Sequence, residues 1–330
     1  MANQPDLFST LSEPVDRGKT TDPVANFPDA LSADSRLSAA LAPYQAHMYS
    51  TGMSENTIKA FLGDIRLLGK FLQEKGASTR LKDIGTETLN RFLYWLKFER
   101  TDADGAHVPC SPKSYARRVT SLKSFFGWLG QTSTLPTDPA APVLQESAQA
   151  PLPRILYDDE IERLMRATRD QLWSTAKPDA RPHLLVLLML QTALKKGEVV
   201  SIRLEDIDSS NVREPVLFVR YSDGRHGHKE RKLSLGPAFA PVLSQYLRNH
   251  KPKEHLFECT ARNLEYVLDD AAAMANIKDG VSFEMLRWTS AVRSYRFGTP
   301  PEALRLKLGL SPISWRETFE KIKKLASPGL

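Results

Sequence analysis

Apolar residues recur at helical spacing through most of this chain. After a polar opening stretch, the pattern predicts a first amphipathic helix over roughly 37–49 and a second over 54–75. In the second, Ile58, Phe61, Leu62, Ile65, Leu68, Phe71 and Leu72 share one face, with Ser54 as N-cap and Gly76 as the stop. A third, 86–99, turns Leu89, Phe92, Leu93, Trp95 and Leu96 inward. A fourth, 111–130, opens on Ser-Pro, a helix-start pair, and carries Tyr115, Val119, Leu122, Phe125, Phe126 and Leu129 as its stripe. Four such stripes in succession predict a small helical bundle.

The pattern breaks at 135–153, where five prolines and few large apolar residues predict a linker. Beyond it, helices are expected over 157–169, 181–193, 195–203, 237–249, 261–276, 283–297, 300–308 and 312–325. Two strands, 215–221 and 229–235, are joined by the turn SDGRHGH as a hairpin. The expected fold is therefore mainly α: an N-terminal helical bundle and a second, mostly helical domain with a small β-hairpin or sheet. Its expected divisions are an acidic tail (1–34), the bundle (35–134), the linker (135–153), the second domain (154–326) and a short tail (327–330).

Composition narrows the function. The longest purely apolar run, 184–190, has seven residues. A membrane span needs roughly 20, so neither a spanning helix nor a membrane partner is expected. The first 34 residues lack the basic start and apolar core of a secretory leader. Cys110 and Cys259 are too few for a disulfide framework or a four-cysteine zinc site, and a reducing cytoplasm is the default. His226 and His228, and the group His250, His255 and Cys259, match no metal-ligand pattern.

The formal net charge is +6, but the first 34 residues contribute −4, from six acids and two bases, leaving +10 on residues 35–330. That surplus favours a polyanionic partner, nucleic acid ahead of membrane. The fourth helix adds Lys113, Arg117, Arg118 and Lys123, with no acid from Ser111 to Gln131. These four bases are candidate DNA contacts, and the acidic tail is a candidate competitor for the basic surface.

Three segments of the second domain carry a family resemblance. LLMLQTALKKGEVVSIRLEDID, ending at Asp208, resembles a "TGLR-x-x-E-hydrophobic-x-x-L-x-x-x-D-I" box, with Thr192, Leu194, Glu198, Leu204, Asp206 and Ile207 in register. SFEMLRWTSAVRSYRFG (282–298) resembles an "H-x-L-R-H-T" helix, and LGLSPISWRETFEKI (308–322) resembles "LGHSSISTT-x-x-Y-x-x-I". With a bundle and linker ahead of them, they make residues 37–325 similar to the tyrosine recombinases, the phage-integrase family. The resemblance implies a SAM-like core-binding bundle and a catalytic-type domain, forming a C-shaped clamp on double-stranded DNA. It implies a role in DNA recombination or integration, as in mobile elements, in a nucleoid-associated cytoplasmic protein. Other recombinase subunits or a second copy of the chain are the implied protein partners, and no cofactor or metal is implied.

The family's tyrosine attacks a DNA phosphodiester. Arginines stabilise the charged transition state, a hairpin lysine protonates the leaving oxygen, and histidines assist. Carried over residue by residue, the nucleophile position is Phe319, which has no oxygen to form the covalent intermediate. The first arginine position is Lys195, which keeps the charge but lacks the planar fork. The H-x-x-R pair becomes Glu284 and Arg287, and the LGH histidine becomes Leu310. The hairpin lysine is Lys229 or one of its neighbours Arg225, Arg231 and Lys232. Arg287 is thus the one clear retention.

One lost oxyanion-type donor costs roughly 2.7–4 kcal/mol in rate, and a lost nucleophile removes the route altogether. The resemblance therefore implies a pseudoenzyme that binds DNA through Lys113, Arg117, Arg118, Lys123, Lys195, Arg225, Lys229, Arg231 and Arg287 without cutting it. It would act as an accessory or architectural subunit. Two alternatives stand beside this reading: an active recombinase with an unusual pocket, and a protein–protein module that has lost DNA. Bland readings also stand. Phe319 fills space beside Ile322 and Leu325, Arg287 pairs with Glu284 one turn away, and the hairpin bases are a solvated turn. Thr318 is expected to point about 100° away from the nucleophile direction.

Overall fold

The structure, a computed structural model, describes residues 31–102, 104–144, 151–221 and 224–327, the side chains of 224–226 excepted. Most of the acidic tail and residues 145–150 of the expected linker lie outside the described residues. The chain divides into two compact units, the second beginning at Pro151.

The first unit holds four helices: α1 (Leu41–Ser50), α2 (Glu55–Glu74), α3 (Thr86–Phe98) and α4 (Pro112–Gln131). The first expected helix begins as a 3-10 turn over Leu37–Ala40 before becoming α-helical. Starts follow the sequence signals. The Ser54 and Ser111 side chains accept from the backbone N–H groups of Thr57 and Ser114, and Pro112 opens α4, where no intrahelical donor is needed. The predicted stripes meet in one core, in which Tyr44, Phe92, Phe125 and Phe126 are fully buried. The Tyr44 hydroxyl donates to Ser124, which satisfies its polar end inside that core.

The stretch expected to be linker starts later than 135. Leu135, Ala140 and Val143 are buried in the bundle core, because Pro139 and its neighbours fold back over α3: Thr86 donates to the Pro139 carbonyl at 2.8 Å. The acidic tail likewise ends before 34, since Asp34 pairs with Lys82 and Arg80.

The second unit is built around α6 (Arg181–Thr192), whose residues Leu184–Met189 are all buried. Around it pack α5 (Asp158–Leu172), α8 (Phe239–His250), α9 (Ala261–Met274) and α10 (Phe283–Arg296). Between α6 and α8 come the short α7 (Lys196–Ser201) and three antiparallel strands: β1 (Ile207–Asp208), β2 (Val216–Val219) and β3 (Arg231–Ser234). β1 was not expected, since two residues leave no readable alternation. The chain closes with α11 (Pro301–Lys307) and α12 (Pro312–Ala326). A satellite core of Ala291, Val292, Leu304, Leu308 and Ile322 holds them to α10. Among the described residues no helix is long and apolar enough to cross a membrane.

Register decides which hairpin bases face inward. Leu217 pairs with Leu233 and Val219 with Arg231. Leu217, Val219 and Leu233 are buried, so the two-residue period places Arg231 on the inner face and Lys232 on the outer.

Candidate active-site pocket

The second unit contains a cavity of about 690 Å³, walled by the turn at 194–196, α9, α10, the turn at 308–310 and α12. Four of the six predicted pocket positions line it: Lys195, Glu284, Arg287 and Leu310. The turn that delivers Lys195 is made by Ala193, which ends α6 in the left-handed region (φ 54°). That conformation is uncommon for a residue with a side chain. Arg287 supports it by donating to the Ala193 carbonyl, and it also donates to the Leu308 carbonyl at 2.7 Å. Arg287 therefore ties α10 to both turns that frame the cavity, and the expected pairing with Glu284 does not form among the described residues. Burial lowers its guanidinium to about 10, so it stays charged at neutral pH.

Burial also pushes the Lys195 ammonium below its ordinary value. Glu198 pulls the other way, and the charges of Arg287, Lys229 and Arg231 push in the same direction as burial. The influence of Lys229 places its charge near this site, on the short 3-10 turn Gly224–Lys229. The Arg225 side chain lies outside the described residues.

Phe319 is not among the residues that line the cavity. Its ring stacks on Trp315 at 4.9 Å and meets Tyr295 edge-on at 5.5 Å, with the Lys323 ammonium 5.3 Å from its centre. Thr318 lines the cavity instead, its hydroxyl donating to the Ser314 carbonyl at 2.9 Å. The rotation between neighbouring helix positions is as expected, but its consequence is the reverse: Thr318 lines the pocket and the ring of Phe319 packs against Trp315 and Tyr295.

Three of the expected DNA contacts are held in ion pairs within the chain. Arg231 is buried and forms a two-pronged pair with Glu198, at 3.0 and 2.9 Å, while its Nε donates to the Lys307 carbonyl at 2.8 Å. Burial alone would raise the Glu198 carboxyl. The bonds and charge of Arg231, the Lys195 backbone N–H and the Tyr221 hydroxyl outweigh it and bring the carboxyl to about 2. In the first unit, Arg117 and Arg118 both pair with the buried Asp64, which also accepts from Ser121 at 2.7 Å. Arg117 additionally donates to the Ala60 carbonyl, and Arg118 to the Cys110 sulfur. Reversing the charge of these arginines therefore disturbs folding and does not isolate DNA contact.

The missed signal was Asp64 itself, an acid inside the apolar stripe of α2 that demands cations from a neighbouring helix. Of the other bundle bases, Lys113 is exposed and the Lys123 ammonium donates to the Ala141 carbonyl at 3.3 Å. Arg262, Glu265, Asp269 and Trp288 also line the cavity without having been singled out as pocket residues. Arg262, Glu265 and Asp269 lie on α9 and Trp288 on α10, and it is the packing of these helices that brings them to the cavity.

A helical bundle ahead of a catalytic-type domain with this pocket defines a class, and comparisons agree on it. A profile described as the phage integrase family matches residues 154–317, and one described as the phage integrase N-terminal SAM-like domain matches residues 41–132. The tyrosine recombinase XerD of Listeria innocua is 25% identical over 289 residues, covering 83% of this chain and 90% of that protein. A solved lambda integrase dimer bound to a COC′ core site covers 86% of this chain and 77% of its own, with a TM-score of 0.64 at 16% identity. The XerH site-specific recombinase, bound to a palindromic difH substrate in a post-cleavage complex, covers 90% and 96% with a TM-score of 0.63 at 15% identity. The chain belongs to the phage integrase family of tyrosine recombinases.

Proposed function

We propose that this chain binds double-stranded DNA as a tyrosine-recombinase-type subunit and does not cut it, serving as an accessory or architectural partner in recombination. The observation that carries the reading is Phe319. The residue at the nucleophile position has no oxygen, and its ring is packed between Trp315 and Tyr295 outside the cavity. The fold shared with DNA-bound recombinases supports DNA as the partner. The cations left for phosphate contact among the described side chains are Lys113, Lys123, Lys195 and Lys229, with the part of Arg287 not bonded to carbonyls; Arg225 remains an expectation from the sequence. The separate compact units and the proline-rich connection after Val143 support a two-part grip on the duplex.

A second reading, an active recombinase with an altered pocket, is favoured by one observation: Thr318, a residue with a hydroxyl, lines the same cavity as Lys195 and Arg287. Against it, that hydroxyl is already donated to a helix carbonyl, and an alcohol is a far weaker acid than a phenol.

The test is capture and sequencing of fragmented genomic DNA on the purified chain at two salt concentrations. Enrichment of one short site, with bulk affinity falling as salt rises, supports the proposal. Absence of duplex binding at low salt overturns it. If the enriched site, offered as a nicked duplex, forms a covalent adduct that Thr318→Ala abolishes, the second reading replaces the first.

A further inference from the structure

We propose that the cavity between α7, α9, α10 and α12 is a receptor site for a small amphipathic carboxylate, a monoanion with an apolar body. This inference goes beyond the DNA-binding reading and does not depend on it.

The volume of about 690 Å³ sits inside the roughly 300–1,000 Å³ typical of small-molecule sites. The wall is apolar where an organic body would rest. Leu268, Val281, Phe283 and Ala291 are buried side chains of that wall, and Trp288 adds an aromatic surface. Such a wall suits hydrocarbon.

The charges around it are unequal. Lys195 makes no ion pair among the described residues, and burial has already weakened its hold on a proton. An anion beside it would restore the charge balance. Arg287 gives one N–H to each of two carbonyls, which leaves three of the five guanidinium donors. Farther round the wall, Lys196 and Arg262 share Glu265, at 2.9 and 3.1 Å, and are neutralised only in part. Asp269 and Glu284 also line the cavity, on the helices that carry Arg262 and Arg287. The lining residues alone carry four cations against three carboxylates, one net positive charge, and Lys229 nearby adds to it, which suits an anionic ligand. A dianionic phosphate would be repelled by Asp269 and Glu284 more than a carboxylate would.

The position of Glu284 sharpens the argument. It is an exposed carboxylate one helical turn before Arg287. There its charge opposes a dianion more strongly than a monoanion.

The test is calorimetric titration of the full chain, free of DNA, with 3-phenylpropionate, its neutral amide and phenyl phosphate. The expected result is saturable binding of the carboxylate, at least tenfold weaker binding of the amide, and weaker binding of the phosphate. Lys195→Met is expected to weaken the carboxylate at least tenfold. Glu284→Gln, a change at an exposed position, is expected to tighten it several-fold and to narrow the gap to the phosphate. Equal binding of amide and carboxylate, indifference to both substitutions, or no saturable binding at millimolar carboxylate overturns the proposal. Duplex retention measured on the same preparations separates its failure from failure of the DNA reading.

Discussion

Asp64 in the first unit and Glu198 in the second are carboxylates buried against arginine, and the two arrangements behave in opposite ways. Glu198 is gripped by both prongs of Arg231, by a backbone N–H and by the Tyr221 hydroxyl, and its carboxyl falls to about 2. Asp64 has two arginines and a serine, yet burial still raises its carboxyl above the ordinary value, only partly offset by those partners. The difference is geometric. The Arg231 side chain is 8% exposed and meets Glu198 in parallel, whereas Arg117 is 38% exposed and the Nε of Arg118 finds no hydrogen-bond partner. A buried carboxylate is an asset only when its desolvation is answered by full, directional pairing. One cluster is therefore a fastener for the pocket, and the other is an ion pair close to break-even.

The largest effect that would sharpen this contrast is expected at Glu198. Glu198→Gln leaves Arg231 charged and buried, and such broken pairs cost about 3–5 kcal/mol. Equilibrium urea unfolding of the second unit checks it, and a cost near zero would erase the distinction. The pH dependence follows from the same pair. Its folded carboxyl lies below the unfolded value of 4.5, so its stabilisation is complete above 4.5 and is lost as pH falls towards 2. The stability gap between wild type and Glu198→Gln should therefore close over that acid range. A gap that stayed constant to the bottom of the range would mean that the charge of Glu198 is not what stabilises the unit.

Next in size is Gly309→Ala. Gly309 adopts φ +59°, and an added Cβ would lie 2.7 Å from the Arg231 guanidinium. A side chain in the left-handed region costs about 1–2 kcal/mol, and the pinned Arg231 cannot swing away without releasing Glu198. A lowered melting temperature is expected, with much of the loss absent in a Glu198→Gln background. Full additivity would show that the glycine and the ion pair are independent.

The smallest effect is expected at Asp64. Asp64→Asn should change stability by less than about 1 kcal/mol at neutral pH, since Arg117 reaches solvent and the ionised carboxyl is disfavoured by burial. A cost equal to that of Glu198→Gln would break the comparison. The sign with pH is also reversed. With the folded carboxyl raised above 3.8, Asp64 favours folding most below that value, and the contribution is lost as pH rises through the raised value.

Much of the architecture was legible because apolar spacing, serine N-caps and proline at helix starts act locally. Ile58 to Leu72 and Tyr115 to Leu129 show this, each stripe ending in the core it was expected to build. The ion-pair partners of the bases were not legible, because a charge count carries no direction. Arg231 was grouped with Lys232 although alternation along β3 turns one inward and the other outward. Arg117 and Arg118 were read as free because their acid lies on α2, 53 and 54 positions earlier. The pocket was legible in part. Lys195, Glu284, Arg287 and Leu310 sit on motif segments, and they converge. Trp288, Asp269 and Thr318 join them through the packing of α9, α10 and α12, which no single segment encodes.

The central claim is that Phe319 leaves this recombinase fold without strand-cleaving chemistry. The most direct measurement offers the wild-type chain a nicked duplex carrying its enriched site, which traps a covalent intermediate if one forms. The products are then separated under denaturing conditions. The account predicts a salt-sensitive complex in native gels and no protein–DNA adduct after denaturation. A denaturation-resistant adduct at any residue would contradict it.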